Sequence, residues 1–150
     1  MTQPNTQYIE AQVKIALLED LGGEVTINND VTAMLIPAEH QADAHIITRE
    51  DIILCGLSWA KEAFNQVDSS IKQTWHYKDG DKIAANSVLV DLSGNARSLL
   101  TAERTALNFL QMLSATATTT HQYTQYLNGS STQLLDTRKT IPSFRLAQKY

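Results

Sequence analysis

Leu99-Leu100-Thr101-Ala102-Glu103-Arg104-Thr105-Ala106-Leu107-Asn108-Phe109-Leu110-Gln111-Met112-Leu113 is the stretch whose reading decides the architecture. Leu99, Ala102, Ala106, Phe109, Leu110, Leu113 and then Ala117 recur every three to four residues, so a long helix beginning near Ser98 presents one stripe to a core. Arg104, Asn108 and Gln111 form a polar strip at i, i+4 and i+7 beside that stripe. Helical character continues, with a break, through Tyr123 and Leu127, and Asn128-Gly129 ends it.

Upstream, Ile9, Val13, Ala16, Leu17 and Leu21 predict a helix over about Gln7 to Leu21, stopped by Gly22-Gly23. A loop punctuated by Asn28-Asn29-Asp30 and Pro37 follows, then short strands at Ala42–Thr48 and Ile52–Leu54. Gly56 opens a second helix with Leu57, Ala60, Phe64 and Val67 on one face. Ile71, Gln73, Trp75 and Tyr77 alternate with polar residues as in a half-buried strand, Asp79-Gly80-Asp81 is a turn, and Val88, Val90 and Leu92 mark another strand closed by Ser93-Gly94. Downstream of the long helix, Gln133–Leu135 reads as a short strand, Asp136-Thr137-Arg138-Lys139-Thr140 as the loop after it, and Pro142 as the start of a last helical stretch.

The whole is an α+β chain: an N-terminal α/β sandwich over residues 1–107, followed over 108–150 by the first βα portion of a parallel layer. One βα unit cannot cover both faces of a parallel strand, so the second part reads as the opening of a larger α/β structure.

At 150 residues, 43% apolar and 19% charged, the chain is of globular composition and long enough to bury a core without staples. Cys55 alone makes no disulfide within the chain, and a single thiol without a signal-like start fits a reducing cytoplasm. No apolar run approaches the ~20 residues of a membrane span. The net charge of −4 offers no general attraction for nucleic acid. Charge is unevenly spread, however: from Leu134 to Tyr150 the chain carries Arg138, Lys139, Arg145 and Lys149 against Asp136 alone. Such a stretch can hold a small anion while the molecule repels polyanions.

Asp136-Thr137-Arg138-Lys139-Thr140 sits where a strand hands over to a helix, the place at which parallel sheets bind ligands. Arg138 can grip a carboxylate or phosphate by two parallel bonds, Lys139 adds a mobile charge and the threonines add hydroxyls; a solvated charged loop fits the same residue types. Arg104 reads either as a surface arginine or as part of a polar groove. His40, His45, His76 and His121 lack metal-ligand spacing, and no dinucleotide, P-loop or esterase signature is present. Glu19-Asp20 could be an acid pair, although acids at a helix C-terminus oppose the dipole and are commonly just exposed. Cys55, in an apolar run, reads as a small buried hydrophobe.

Together, Ala16-Leu17-Leu18-Glu19-Asp20-Leu21-Gly22, Ile47-Thr48-Arg49-Glu50, Asp79-Gly80-Asp81, Leu100-Thr101-Ala102-Glu103-Arg104-Thr105-Ala106-Leu107-Asn108-Phe109 and Leu134-Leu135-Asp136-Thr137-Arg138-Lys139-Thr140 resemble, in order, the segments of the quinolinate phosphoribosyltransferases, also called nicotinate-nucleotide pyrophosphorylases. The resemblance implies a hammerhead-like sandwich followed by an open α/β barrel, a cytoplasmic homodimer, and the joining of quinolinate to phosphoribosyl pyrophosphate with Mg²⁺. The products would be nicotinate mononucleotide, pyrophosphate and CO₂, a step of NAD synthesis. By motif match Arg104, Thr137, Arg138 and Lys139 would bind the diacid, with Arg104 reaching the neighbouring subunit's site. The metal ligands and the remaining basic residues would lie outside this chain, leaving it an incomplete catalyst.

Ala115 stands where the family commonly has Gly, and Ser143-Phe144 where it usually has Gly-Leu. Two other readings remain open. One is a relative acting on another aromatic acid such as nicotinate. The other is a non-catalytic hammerhead-type binding or dimerisation module, although Lys82 beside the Asp-Gly-Asp turn lacks the flanks of an acylated carrier lysine.

Overall fold

A computed structural model describes residues 4–150. Helix α1 (Thr6–Asp20) starts where the Asn5 side chain accepts the Tyr8 N–H at 2.8 Å, and it buries Ile9, Val13 and Leu17. Two 3-10 turns, Ile27–Asn29 and Ala33–Leu35, lead to strand β1 (Gln41–Ile47), then β2 (Ile52–Ile53), helix α2 (Leu57–Val67), β3 (Lys72–Trp75), β4 (Lys82–Ile83), β5 (Val88–Asn95), helix α3 (Ala96–Tyr126) and helix α4 (Arg145–Lys149).

β5 is the middle of an antiparallel sheet ordered β1-β5-β3, and β2 pairs with β4 in a separate ribbon. The register sets Ile46 opposite Val90 and Ile47 opposite Val88, so Leu89 is an extra residue in the ladder. That irregularity lets both Leu89 and Val90 be buried on one strand. The ribbon lies against α3, whose hydroxyls complete its edge: Thr118 Oγ1 accepts the Ile53 N–H at 2.9 Å, and Ser114 Oγ accepts the Cys55 N–H at 3.0 Å.

The core lies between α1, α2, α3 and the sheet. Val13, Leu17, Trp59, Ala60, Ala63, Phe64, Ala102, Ala106 and Leu113 are all buried there. Gly56 has φ of 101°, and a Cβ on it would stand 3.0 Å from Leu113 Cδ1 and 3.2 Å from the Phe109 carbonyl oxygen. A side chain at the head of α2 would therefore push the two helices apart, which gives this glycine its place.

Most expected elements form within a residue or two of their predicted bounds, but the short strand β4 was not foreseen, β5 continues through Ser93-Gly94 to Asn95 instead of closing there, and the segments from α3 onward differ as follows. α3 runs unbroken from Ala96 to Tyr126. The expected break before Tyr123 is absent, although the Thr116–Thr120 stretch is rich in β-branched residues that disfavour helix. There Thr116 and Thr120 turn their hydroxyls onto the carbonyls of Met112 and Thr116, at 3.0 and 2.8 Å, and stay within the helix. Gln133–Leu135 is not a strand; Leu134 and Leu135 are exposed, because no strand of the described residues lies beside them to pair with. The last helix begins at Arg145 rather than at Pro142, after Ser143 takes a left-handed φ of 62°. The boundary drawn at 107/108 falls inside α3.

Candidate functional site

Arg104 projects from the third turn of α3, and its side chain is half exposed. Its Nη2 lies 2.9 Å from Asp30 Oδ2 and 3.2 Å from Asp20 Oδ2, and its Nε donates to the same Asp20 oxygen at 3.3 Å. Asp30 is buried, and its Oδ1 also accepts the N–H groups of Thr32 and Ala33 at 3.1 and 3.0 Å, capping the second 3-10 turn. Burial alone would raise the Asp30 carboxyl, but the Ala33 N–H and the Arg104 charge outweigh it and hold the group below the usual carboxylate range. Neither Asp20 nor Asp30 was among the expected site residues. The sequence offers Asp20 as half of an acid pair with Glu19 or as an exposed helix-end acid, and Asp30 as loop punctuation.

Thr137, Arg138 and Lys139 lie exposed on the segment between α3 and α4. Thr137 Oγ1 accepts the Lys139 N–H at 3.0 Å, folding the loop so that consecutive cations emerge from one turn. Asp136, the single acid of this region, is held by Lys149 Nζ. Arg145 donates from Nη2 to the Arg138 carbonyl at 3.1 Å and from Nε to Thr140 Oγ1 at 3.3 Å. The Arg138 and Lys139 side chains are thus left without an acidic partner among the described residues. Within one chain no described contact joins them to Arg104, whose partners are on α1 and the loop after it.

A groove of about 610 Å³ runs along α1 and α3, from Glu19, Asp20 and Asn108 at one end to Pro142, Ser143 and Phe144 at the other. Its floor is apolar. Tyr8 Oη and Gln12 Nε2 both donate to the Ser143 carbonyl, at 3.2 and 2.9 Å, and Phe144 stacks on Phe109 at 5.7 Å between ring centroids. The predicted polar strip divides here: Asn108 lines this groove, whereas Gln111 lines another, beside Arg49 and Glu50.

The Asp79-Gly80-Asp81 turn has a structural task. Asp79 Oδ1 accepts the Leu57 N–H at 3.0 Å, capping α2, and its Oδ2 accepts the Tyr150 hydroxyl at 3.2 Å. Burial raises the Asp79 carboxyl despite these bonds. Cys55, as expected, is buried; burial, followed by the Asp79 charge, pushes its thiol up to about 12, so it offers no thiolate at neutral pH. No three His, Cys, Asp or Glu side chains gather to hold a metal ion among the described residues, and no helix among them is long and apolar enough to cross a membrane.

Fold and site together define an α+β module that carries uncompensated cations on a loop behind its long helix, an arrangement suited to small anions. The description of the quinolinate phosphoribosyl transferase N-terminal domain matches residues 30–114, and that of the C-terminal domain of the same family matches residues 116–150. The chain belongs to the quinolinate phosphoribosyl transferase family. It is 36% identical over 147 residues to the mitochondrial decarboxylating quinolinate phosphoribosyltransferase 2b of Nicotiana tabacum, covering 97% of this chain and 40% of that protein. A probable carboxylating nicotinate-nucleotide pyrophosphorylase of Bacillus subtilis is 35% identical over 133 residues, 89% of this chain and 44% of its own length. The solved nicotinate-nucleotide pyrophosphorylase of Francisella tularensis superimposes with a TM-score of 0.90 at 47% identity, over 99% of this chain and 51% of that one. The chain therefore spans about two fifths to one half of the relatives it matches.

Proposed function

We propose that this chain is the N-terminal part of an enzyme of NAD synthesis that transfers phosphoribose from phosphoribosyl pyrophosphate to quinolinate with loss of CO₂. Nicotinate mononucleotide and pyrophosphate are the other products. The observation that carries this is the loop at 136–140: its acid is engaged by Lys149, so Arg138 and Lys139 present two unpaired positive charges beside the Thr137 hydroxyl. A dianionic pyridine acid meets those charges directly. Rupture of the bond from ribose C1′ to pyrophosphate leaves an oxocarbenium-like centre, which the pyridine nitrogen attacks. Both reactants are anions, so placing them in line and screening their repulsion supplies most of the catalysis.

Arg138 would clamp a carboxylate by two hydrogen bonds, Lys139 would add charge beside it, and Thr137 would donate its hydroxyl proton. Arg104 is assigned to the neighbouring site of a homodimer, since its own chain keeps it apart from the loop. Mg²⁺ would offset pyrophosphate charge, but the described residues do not fit it: Asp30 and Asp79 are occupied by N–H and O–H donors, and no third ligand stands near either. Its ligands are assigned to the substrate and to residues outside this chain. The cytoplasm is the proposed compartment, resting on the lone protonated thiol of Cys55, while the tobacco relative is described as mitochondrial.

Turnover separates the possibilities. The complete enzyme should consume quinolinate in preference to nicotinate, and Arg138→Ala or Lys139→Ala should raise KM for quinolinate by about tenfold or more, as expected for lost charge-assisted bonds. The 150-residue chain alone should show no turnover above background. Equal use of the monoacid would favour a relative with another substrate, and ordinary rates from the isolated chain would refute its incompleteness.

A further inference from the structure

We propose that Asp20 is an exchangeable partner of Arg104, standing where a carboxylate of the acid substrate binds, and that Asp30 is the fixed anchor that keeps the guanidinium aimed. This rests on the reading of Arg104 as a ligand of an aromatic diacid. The two aspartates differ in every respect that matters to exchange. The Asp30 side chain is 3% exposed and accepts three donors, from Thr32, Ala33 and Arg104. The Asp20 side chain is 28% exposed and has no described partner but Arg104, at 3.2 and 3.3 Å.

Asp20 is also the last residue of α1, where the partial negative charge of the helix end disfavours a carboxylate. It is therefore loosely held in a place that suits it poorly, at the polar end of the groove beside Asn108. Charge makes exchange necessary as well as feasible. Arg104 with both aspartates carries a net charge of −1, which repels a diacid. If Asp20 swings into water and a substrate carboxylate takes its place on the Nε–Nη2 edge, one carboxylate replaces another. The local charge is unchanged, and the bidentate geometry of a guanidinium is available to the ligand. Asp30 must stay for this to work, because a guanidinium freed from both partners would have many rotamers to lose on binding.

The two aspartates thus carry opposite signs. In the complete enzyme, Asp20→Asn should tighten quinolinate binding by about two- to fivefold, the scale of an exposed ion pair, and leave the KM for phosphoribosyl pyrophosphate unchanged. Asp30→Asn should weaken quinolinate binding by about tenfold. In an Arg104→Ala background, Asp20→Asn should have no effect on quinolinate affinity measured by calorimetry. Asp20→Ser, which removes the charge by a different shape, should give the same sign if Asp20→Asn folds poorly. Unchanged or weaker quinolinate binding in both Asp20 variants, with Arg104→Ala still weakening it, would overturn the exchange alone. An Arg104→Ala enzyme of undiminished affinity would overturn the assignment of Arg104 and the exchange with it.

Discussion

The two halves of α3 are helical for different reasons. From Ala96 to Ser114 the helix buries eleven side chains; from Ala115 to Tyr126 it buries none. The first half is held by tertiary packing against α2 and the sheet; the second, beyond the half-buried Ala117 and the Thr118 bond to the Ile53 N–H near its start, is held by propagation from the first with help from threonine hydroxyls that bond backward along the turn. Chain continuity and burial are separable properties of one helix. The packed half carries Arg104, whereas the overhanging half leads to the cationic loop.

The largest test of this contrast is a pair of truncations. Trp59 is buried, stacks on Phe109 at 6.5 Å and donates its indole N–H to Gln12 at 2.9 Å. Trp59→Ala should cost about 3–5 kcal/mol in urea unfolding, against less than about 0.5 kcal/mol for Tyr126→Ala on the overhang. Comparable losses would show that the overhang is packed in solution. Next in size, Gly56→Ala should cost about 1–3 kcal/mol, because it combines the positive φ with a 3.0 Å approach to Leu113. A neutral result would mean that α2 and α3 can part without loss.

Acid–base behaviour sharpens the same division. Asp30, on the packed side, has its carboxyl lowered; its contribution is present above the unfolded value and is lost as pH falls through the folded one, below ~4. Asp79, which receives the terminal Tyr150, has its carboxyl raised; its contribution is present below the unfolded value and is lost as pH rises above ~4. Asp30→Asn should flatten the acid limb of a stability–pH curve, and Asp79→Asn the limb just above it. Identical curves for the two variants would contradict these assignments. The smallest effect concerns Ser143, left-handed at φ 62° where the family usually has glycine. Ser143→Gly should raise stability by up to about 1 kcal/mol in thermal unfolding, since glycine enters that region without steric cost.

Much of this was legible from residue order. The stripe from Leu99 to Leu113, the glycine stop after α1 and the alternation around Trp75 depend on local spacing, and they fold as spaced. Gln133–Leu135 misled because a strand is a property of two segments, and apolar character alone provides no partner. Asp30 was hidden for a related reason: its cation lies 74 positions away along the chain. A sequence signal for it did exist, since an aspartate followed at the second and third positions by free N–H groups is a helix-cap pattern. Asp20 is exposed as its place at a helix end suggests, but its pairing with Arg104 was not legible, because the arginine lies 84 positions away along the chain. Arg138 and Lys139 stand out in the sequence because their loop is dense in one kind of charge, and both are exposed in the fold.

Tyr8 and Gln12 hold the carbonyl of Ser143 from 135 and 131 positions away in the sequence. Loss of those two side chains would leave every motif of the cationic loop intact, yet would release one of its ties to the scaffold, with the Phe144–Phe109 stack and the Tyr150–Asp79 bond remaining. The first helix is thus a tether for a region whose chemistry it does not share.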